Sequence, residues 1–238
     1  MEAGRRRRRP SRAKRNLTTG IAVAISGGIL YGLAPGSGPL ERFSIAAAHL
    51  AVLLFAFTLA IGPVRTLRRE PSPVSTDRRR DLGIWTAILG LVHTIAGLEV
   101  HLGGEFRRYF TIEGLFAGAP QPAKILFVAS NYIGAVAAVL LLILLGLSND
   151  LSLAKLGRDR WKRAQRTAYL ILPMLIAHGA IYQLLERRAA GLVVIFAAAI
   201  LSVLGLQLAG ARLRSRGPMP GPVADGPQIA HVRGDATG

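Results

Sequence analysis

Four histidines, His49, His93, His101 and His178, stand inside long apolar segments of a 238-residue chain that contains no cysteine. A fifth, His231, lies close to the carboxyl terminus. Imidazole binds metals through either ring nitrogen, moves protons near neutral pH, and hydrogen-bonds to carbonyls and hydroxyls. Without thiolates the chain builds no disulfide framework, no thiolate zinc site and no thiolate-ligated iron–sulfur cluster. Any metal must rest on His, on carboxylate or on a ligand it brings along. The sequence has no Gly-rich phosphate loop, no Walker lysine and no His-Glu-x-x-His stretch, and its Ser, His and carboxylate residues form no hydrolase motif. Redox or energy input must therefore come from a partner or a membrane-soluble donor.

The segments that carry these histidines are long. Residues 16–40, 43–64, 82–98, 125–149, 167–185 and 189–211 contain no Asp, Glu, Lys or Arg, and four of these runs exceed the ~20 residues that cross a ~30 Å hydrocarbon core. A polar ionisable side chain at that depth costs kilocalories, which makes each buried histidine a candidate for function. The same side chain can also be no more than a satisfied interhelical hydrogen bond.

The charge pattern orients the spans. The formal net charge is +17, and the run Arg5 to Arg9 with Arg12, Lys14 and Arg15 directly precedes the first apolar segment. If the amino terminus is cytoplasmic, 24 of the 30 Lys and Arg residues fall on cytoplasmic segments and 6 on exterior connections. That asymmetry fixes an expected multi-pass topology with both termini inside, and the chain is expected in the plasma (inner) membrane. The arginines then serve topology and anionic-lipid contact rather than nucleic acid. The first run, at 25 residues, is long beside the ~7–15 residues of a signal-peptide core, so it is expected to be a retained helix.

The expected architecture is an all-α, integral membrane six-helix bundle. A basic cytoplasmic tail (1–16) precedes the transmembrane domain (17–211), and a Pro/Gly-rich disordered cytoplasmic tail (212–238) follows it. The six helices are expected at about 17–34, 43–62, 81–102, 124–147, 167–185 and 189–211. Gly62-Pro63 ends the second, and Asp81 opens the third. Pro71 and Pro73 exclude one continuous helix across the Arg65–Arg80 loop. The exterior loop 103–123 places Phe106, Tyr109, Phe110 and Phe116 where an interfacial segment would lie. Ser148-Asn149-Asp150 offers capping oxygens to a short basic helix ending near Arg166.

Depth separates the histidines. Counted from Leu82 and Thr167, His93 and His178 each lie eleven residues into their helices, about 16 Å deep at a 1.5 Å rise. Two neutral imidazoles facing each other at one level are the axial set that a six-coordinate haem iron needs. Gly97, Ala177 and Gly179 would let a porphyrin lie close. Two separate hydrogen bonds to carbonyls or hydroxyls are the other reading of the pair. His49 and His101 lie nearer the exterior and form a candidate second site, at about 9 Å below the outer face and about 28 Å from the inner face.

These residues carry a resemblance. The stretch Asp77-Arg-Arg-Arg-Asp-Leu-Gly-Ile-Trp-Thr-Ala-Ile-Leu-Gly-Leu-Val-His93 resembles a segment of the ferric reductase-like transmembrane family. Ser148-Asn-Asp-Leu-Ser, Leu156-Gly157, Trp161-Lys162-Arg163, Tyr169 and His178 are similar to its following region, especially in MsrQ-type haem-binding membrane subunits of bacterial methionine sulfoxide reductases. Thr58-Leu-Ala-Ile-Gly-Pro63 fits as well. The resemblance covers about 45–185 and implies b-type haem with His93 and His178 as axial ligands to the iron. The family usually carries a further histidine thirteen residues before His178, where this chain has Gln165, so one haem per chain is expected.

The expected function is that of the electron-transfer subunit of an oxidoreductase system. Electrons would pass from quinol or a cytoplasmic flavin reductase to a redox acceptor on the exterior face, with FMN or quinone as possible additional cofactors. The competing expectation is a non-haem transporter or scaffold with buried histidines, although the six spans lack the paired broken helices common in transporters.

Overall fold

The computed structural model describes residues 11–69, 76–103, 105–111, 120–186 and 188–215. Among them are seven α-helices: α1 (Arg12–Leu33), α2 (Pro39–Leu67), α3 (Thr76–Leu102), α4 (Gln121–Leu147), α5 (Asp150–Gln165), α6 (Ala168–Leu185) and α7 (Ala190–Ser215). A 3-10 helix, Phe106–Phe110, lies between α3 and α4. Six helical stretches among the described residues are long and apolar enough to cross a membrane, the fifth joining the last turns of α5 to α6. The protein is an all-α, multi-pass membrane protein. Most of the amino-terminal basic run, Phe116, and residues 216–238 of the carboxyl-terminal tail lie outside the described residues.

The bundle is built around α2, which packs against α3 and α7, while α4 pairs with α6 and meets α3. Its core joins Phe55 and Leu59 of α2, Ala137 and Leu141 of α4, Ile171 of α6 and Val203 of α7. Helix α1 is peripheral. Leu17, Ile21, Ile25, Ile29 and Leu33 recur every four residues and are all more than half exposed, which puts them on one face of the helix. Such a stripe would be costly in water and is at home against lipid tails.

Three expectations are corrected. Pro63 does not end α2, which continues to Leu67 with Pro63 buried inside it. Proline removes the N–H that would serve the Leu59 carbonyl four residues earlier, but Gln207 Nε2 of α7 donates to that carbonyl at 3.0 Å instead. The distant amide makes the continuation affordable. Asp81 does not open α3, which begins at Thr76. Its carboxylate is buried and accepts from Arg15 Nε of α1 at 3.1 Å, because a carboxylate at a helix interface needs a paired cation. Tyr109, expected at the interface, is buried with its hydroxyl donating to the Gly97 carbonyl.

At the opposite end from the 3-10 helix, α5 is held beneath the bundle. The Asn149 side chain caps it by accepting from Ser152 N at 2.6 Å, and Trp161 Nε1 donates to the Leu147 carbonyl at 2.8 Å. Arg80 ties α3 to this junction through the Ser148 carbonyl at 2.8 Å and Asp150 at 2.5 Å. Gly157, at φ +72°, kinks α5 in a conformation that L residues with side chains rarely adopt.

Candidate functional site

His93 of α3 and His178 of α6 line one cavity of about 200 Å³ inside the bundle. Their ring centroids are 6.4 Å apart, with the planes at 69°. Each ring is held by a serine on the helix paired with its own. His93 Nδ1 is 3.1 Å from both the Ser44 carbonyl and the Ser44 hydroxyl on α2. His178 Nδ1 is 2.9 Å from the Ser130 carbonyl and 3.1 Å from the Ser130 hydroxyl on α4. A carbonyl only accepts, which assigns the proton to Nδ1 in both rings and leaves Nε2 as the lone-pair nitrogen. This is how metal-ligating histidines are oriented: an acceptor on one nitrogen fixes the tautomer and raises the basicity of the other.

The spacing suits a shared metal. With metal–imidazole bonds of about 2 Å and each nitrogen about 1 Å from its ring centre, two imidazoles that share a metal have centroids up to about 6 Å apart. Glycine makes the close approach possible. A Cβ on Gly134 of α4 would stand 2.7–2.8 Å from the His178 ring, and one on Gly90 would stand 2.9 Å from Leu141. Ala137, Ala138 and Gly97 continue the small-residue lining. Two imidazole donors on one largely apolar cavity are the donor set that a b-type haem, which brings four nitrogen donors of its own, would need from the protein.

His49 lines the same cavity from α2. Its Nδ1 lies 2.8 Å from the Ile45 carbonyl and its Nε2 lies 3.1 Å from Gln183 Nε2 of α6. The structure therefore brings His49 to the His93 and His178 chamber, paired with an amide. The side chain of His101, its expected companion, lies outside the described residues. Gln165 sits at the α5 end, where its Nε2 is buried without a hydrogen-bond partner.

Several cavity residues were not anticipated. Tyr182, one turn beyond His178, places its ring 4.9 Å from the histidine ring and donates its hydroxyl to Asn131 Oδ1 at 2.7 Å. Asn131 Nδ2 donates to the Tyr109 carbonyl at 2.9 Å, which ties the 3-10 helix over this end of the cavity. Arg188, in the α6–α7 turn, also reaches the lining, beside Glu186 and 3.9 Å from Glu41. Burial pushes its pKa below the ordinary value, and Glu41 opposes that shift. The one legible signal for these residues was helical spacing, since Tyr182 is i+4 from His178. Ser44, Ser130 and Gly134 gave none, because their roles exist only across helix pairs. No family model matches the chain, and no solved structure matches it.

Proposed function

We propose that the protein is a b-type haem electron-transfer subunit of the plasma membrane, with both termini cytoplasmic. It would take electrons from quinol or a cytoplasmic flavin reductase and pass them to an acceptor on the exterior face. The observation that carries this reading is the pairing of His93 and His178 across one cavity, each with Nδ1 on a serine carbonyl. The bound haem would supply a one-electron couple within the bilayer. His93 and His178 would hold its iron, and Ser44 and Ser130 would keep Nε2 of each ring available as a ligand. Gly134 gives the His178 ring its room and Gly90 gives Leu141 its room, while Gly97 faces the cavity with only the Ser44 hydroxyl within 4 Å of a Cβ placed there. The proposed orientation follows from the arginine-rich α5 end, where a cytoplasmic reductase or anionic lipid meets the chain.

The test is optical. Detergent-purified protein should show a low-spin haem spectrum that dithionite reduces. A folded, colourless protein from haem-replete cells would refute the reading and return the buried histidines to a transporter or scaffold.

A further inference from the structure

The cavity is chemically lopsided along the bundle axis. Towards the α5 end it is lined by Thr86, Gly90, Ala137, Ala138 and Leu141, and the Thr86 hydroxyl is spent on the Leu82 carbonyl. Towards the 3-10 end it is lined by His49, Tyr109, Asn131, Tyr182, Gln183 and Arg188. Any ligand with one apolar and one polar edge has a single favourable orientation here.

Two side chains at the polar end have capacity left over. The amide of Gln183 is oriented by His49. The Ile45 carbonyl takes the Nδ1 proton of His49, so Nε2 accepts, and Gln183 Nε2 must be the donor to it. That leaves Gln183 Oε1 as the free end, and it is buried with no hydrogen-bond partner. A buried acceptor in this state is stabilised by an incoming O–H or N–H donor. Arg188 carries five N–H donors in a planar fork that matches a carboxylate. Its Nη2 is already paired with Glu186, whereas its Nη1 lies 3.9 Å from Glu41, an ion pair without hydrogen-bond geometry, so the remaining N–H groups of the fork are the ones open to a ligand.

Resting on the haem reading, we propose that the porphyrin carries its two propionates at the 3-10 end, one ionised on Arg188 and the other protonated and donating to Gln183 Oε1. Charge supports the split. Arg188 already sits between two glutamates, so two ionised propionates would crowd four carboxylates around one guanidinium, and like charges in a site of low dielectric keep one of them protonated. Distance supports it too, because Gln183 lies five residues beyond His178, about 7.5 Å along the axis at 1.5 Å per residue. Arg188 and Gln183 are thus the specificity residues for a porphyrin with free carboxyl groups.

Apo-protein, made as the full chain in haem-deficient cells, is titrated with haem b and separately with its dimethyl ester, and the low-spin spectrum reports binding. The wild type should prefer haem b by about tenfold or more, the scale of one charge-assisted hydrogen bond. Arg188→Gln and Gln183→Leu should each narrow that preference, with Arg188→Lys keeping part of it. Equal affinity of the wild type for the two porphyrins overturns the proposal, and so does a preference that survives both substitutions. If Arg188→Gln fails to fold, the wild-type comparison and Gln183→Leu decide. A wild type that gives no low-spin spectrum with either porphyrin shows that the haem reading itself has failed, and the propionate assignment falls with it.

Discussion

Ser130 determines which nitrogen His178 can offer: its carbonyl takes the Nδ1 proton at 2.9 Å, and its hydroxyl lies 3.1 Å from the same nitrogen. Ser130 is fully buried and its hydroxyl also reaches the His178 carbonyl at 3.3 Å, so this contact is fixed by the α4–α6 packing. Ser130→Ala keeps the carbonyl and removes one acceptor from the Nδ1 proton. The ring then carries less negative character and supports ferric iron less well. Haem should be retained and the reduction potential should rise by up to about 60 mV, the one-electron equivalent of a tenfold change. Redox titration of the purified variant checks this, and an unchanged potential would show that the hydroxyl does not act on the ligand.

Removing either histidine is the coarser test. On the proposed haem reading, His93→Ala and His178→Ala should each abolish the low-spin spectrum, because both rings line one cavity and would hold one iron between them. His231→Ala, beyond the last expected span, should leave the spectrum alone. Two single variants with full wild-type haem would break the assigned pair.

Gly134 separates space from ligation. A methyl group there would stand 2.7 Å from the His178 ring, and the ring, tethered at Ser130, has little freedom to move aside. Gly134→Ala should lower haem occupancy while the helices remain folded, with an overpacking cost of about 1–3 kcal/mol. Gly28→Ala, where nothing lies within 4 Å, is the matched control. Equal haem content in the two variants would show that the His178 ring is not confined as described.

The six spans were legible because their signal is local: length and the absence of charge suffice to identify an apolar helix. The shared level of His93 and His178 was legible for a related reason, since the helical rise is constant and only a starting point has to be guessed. The rest depends on partners far away in the chain. Pro63 reads as a helix stop unless Gln207 is known to cover the Leu59 carbonyl. Asp81 reads as a helix start unless Arg15 is known to face it. That His49 shares the His93 and His178 cavity and meets Gln183, 134 residues later, is written only in the fold. Tyr109 looks interfacial by residue type, yet it is packed under Gly97 as a plug.

Gln165 bears on stoichiometry. The resemblance expects a histidine there, and glutamine is a poor ligand for iron beside imidazole. Haem-to-protein quantification on purified material should therefore give a ratio near one. A ratio near two would mean that His49 and His101 hold a second haem, or that Gln165 does not mark a lost site.

The Pro63 bypass yields a test of fold stability that is independent of any cofactor. In wild type the Leu59 carbonyl depends on Gln207 Nε2 at 3.0 Å, because Pro63 has no N–H to give. Gln207→Leu leaves that carbonyl without a donor in an apolar core and should cost about 0.6–2 kcal/mol. Pro63→Ala restores an N–H at the position that serves Leu59 in a regular helix. In that background Gln207→Leu should cost clearly less, since the carbonyl already has a partner. Gly210 packs against the Pro63 backbone, so the alanine leaves the α2–α7 contact in place. Denaturation of the four proteins in detergent measures the coupling, and an equal cost of Gln207→Leu in both backgrounds would show that the amide does not compensate for the proline.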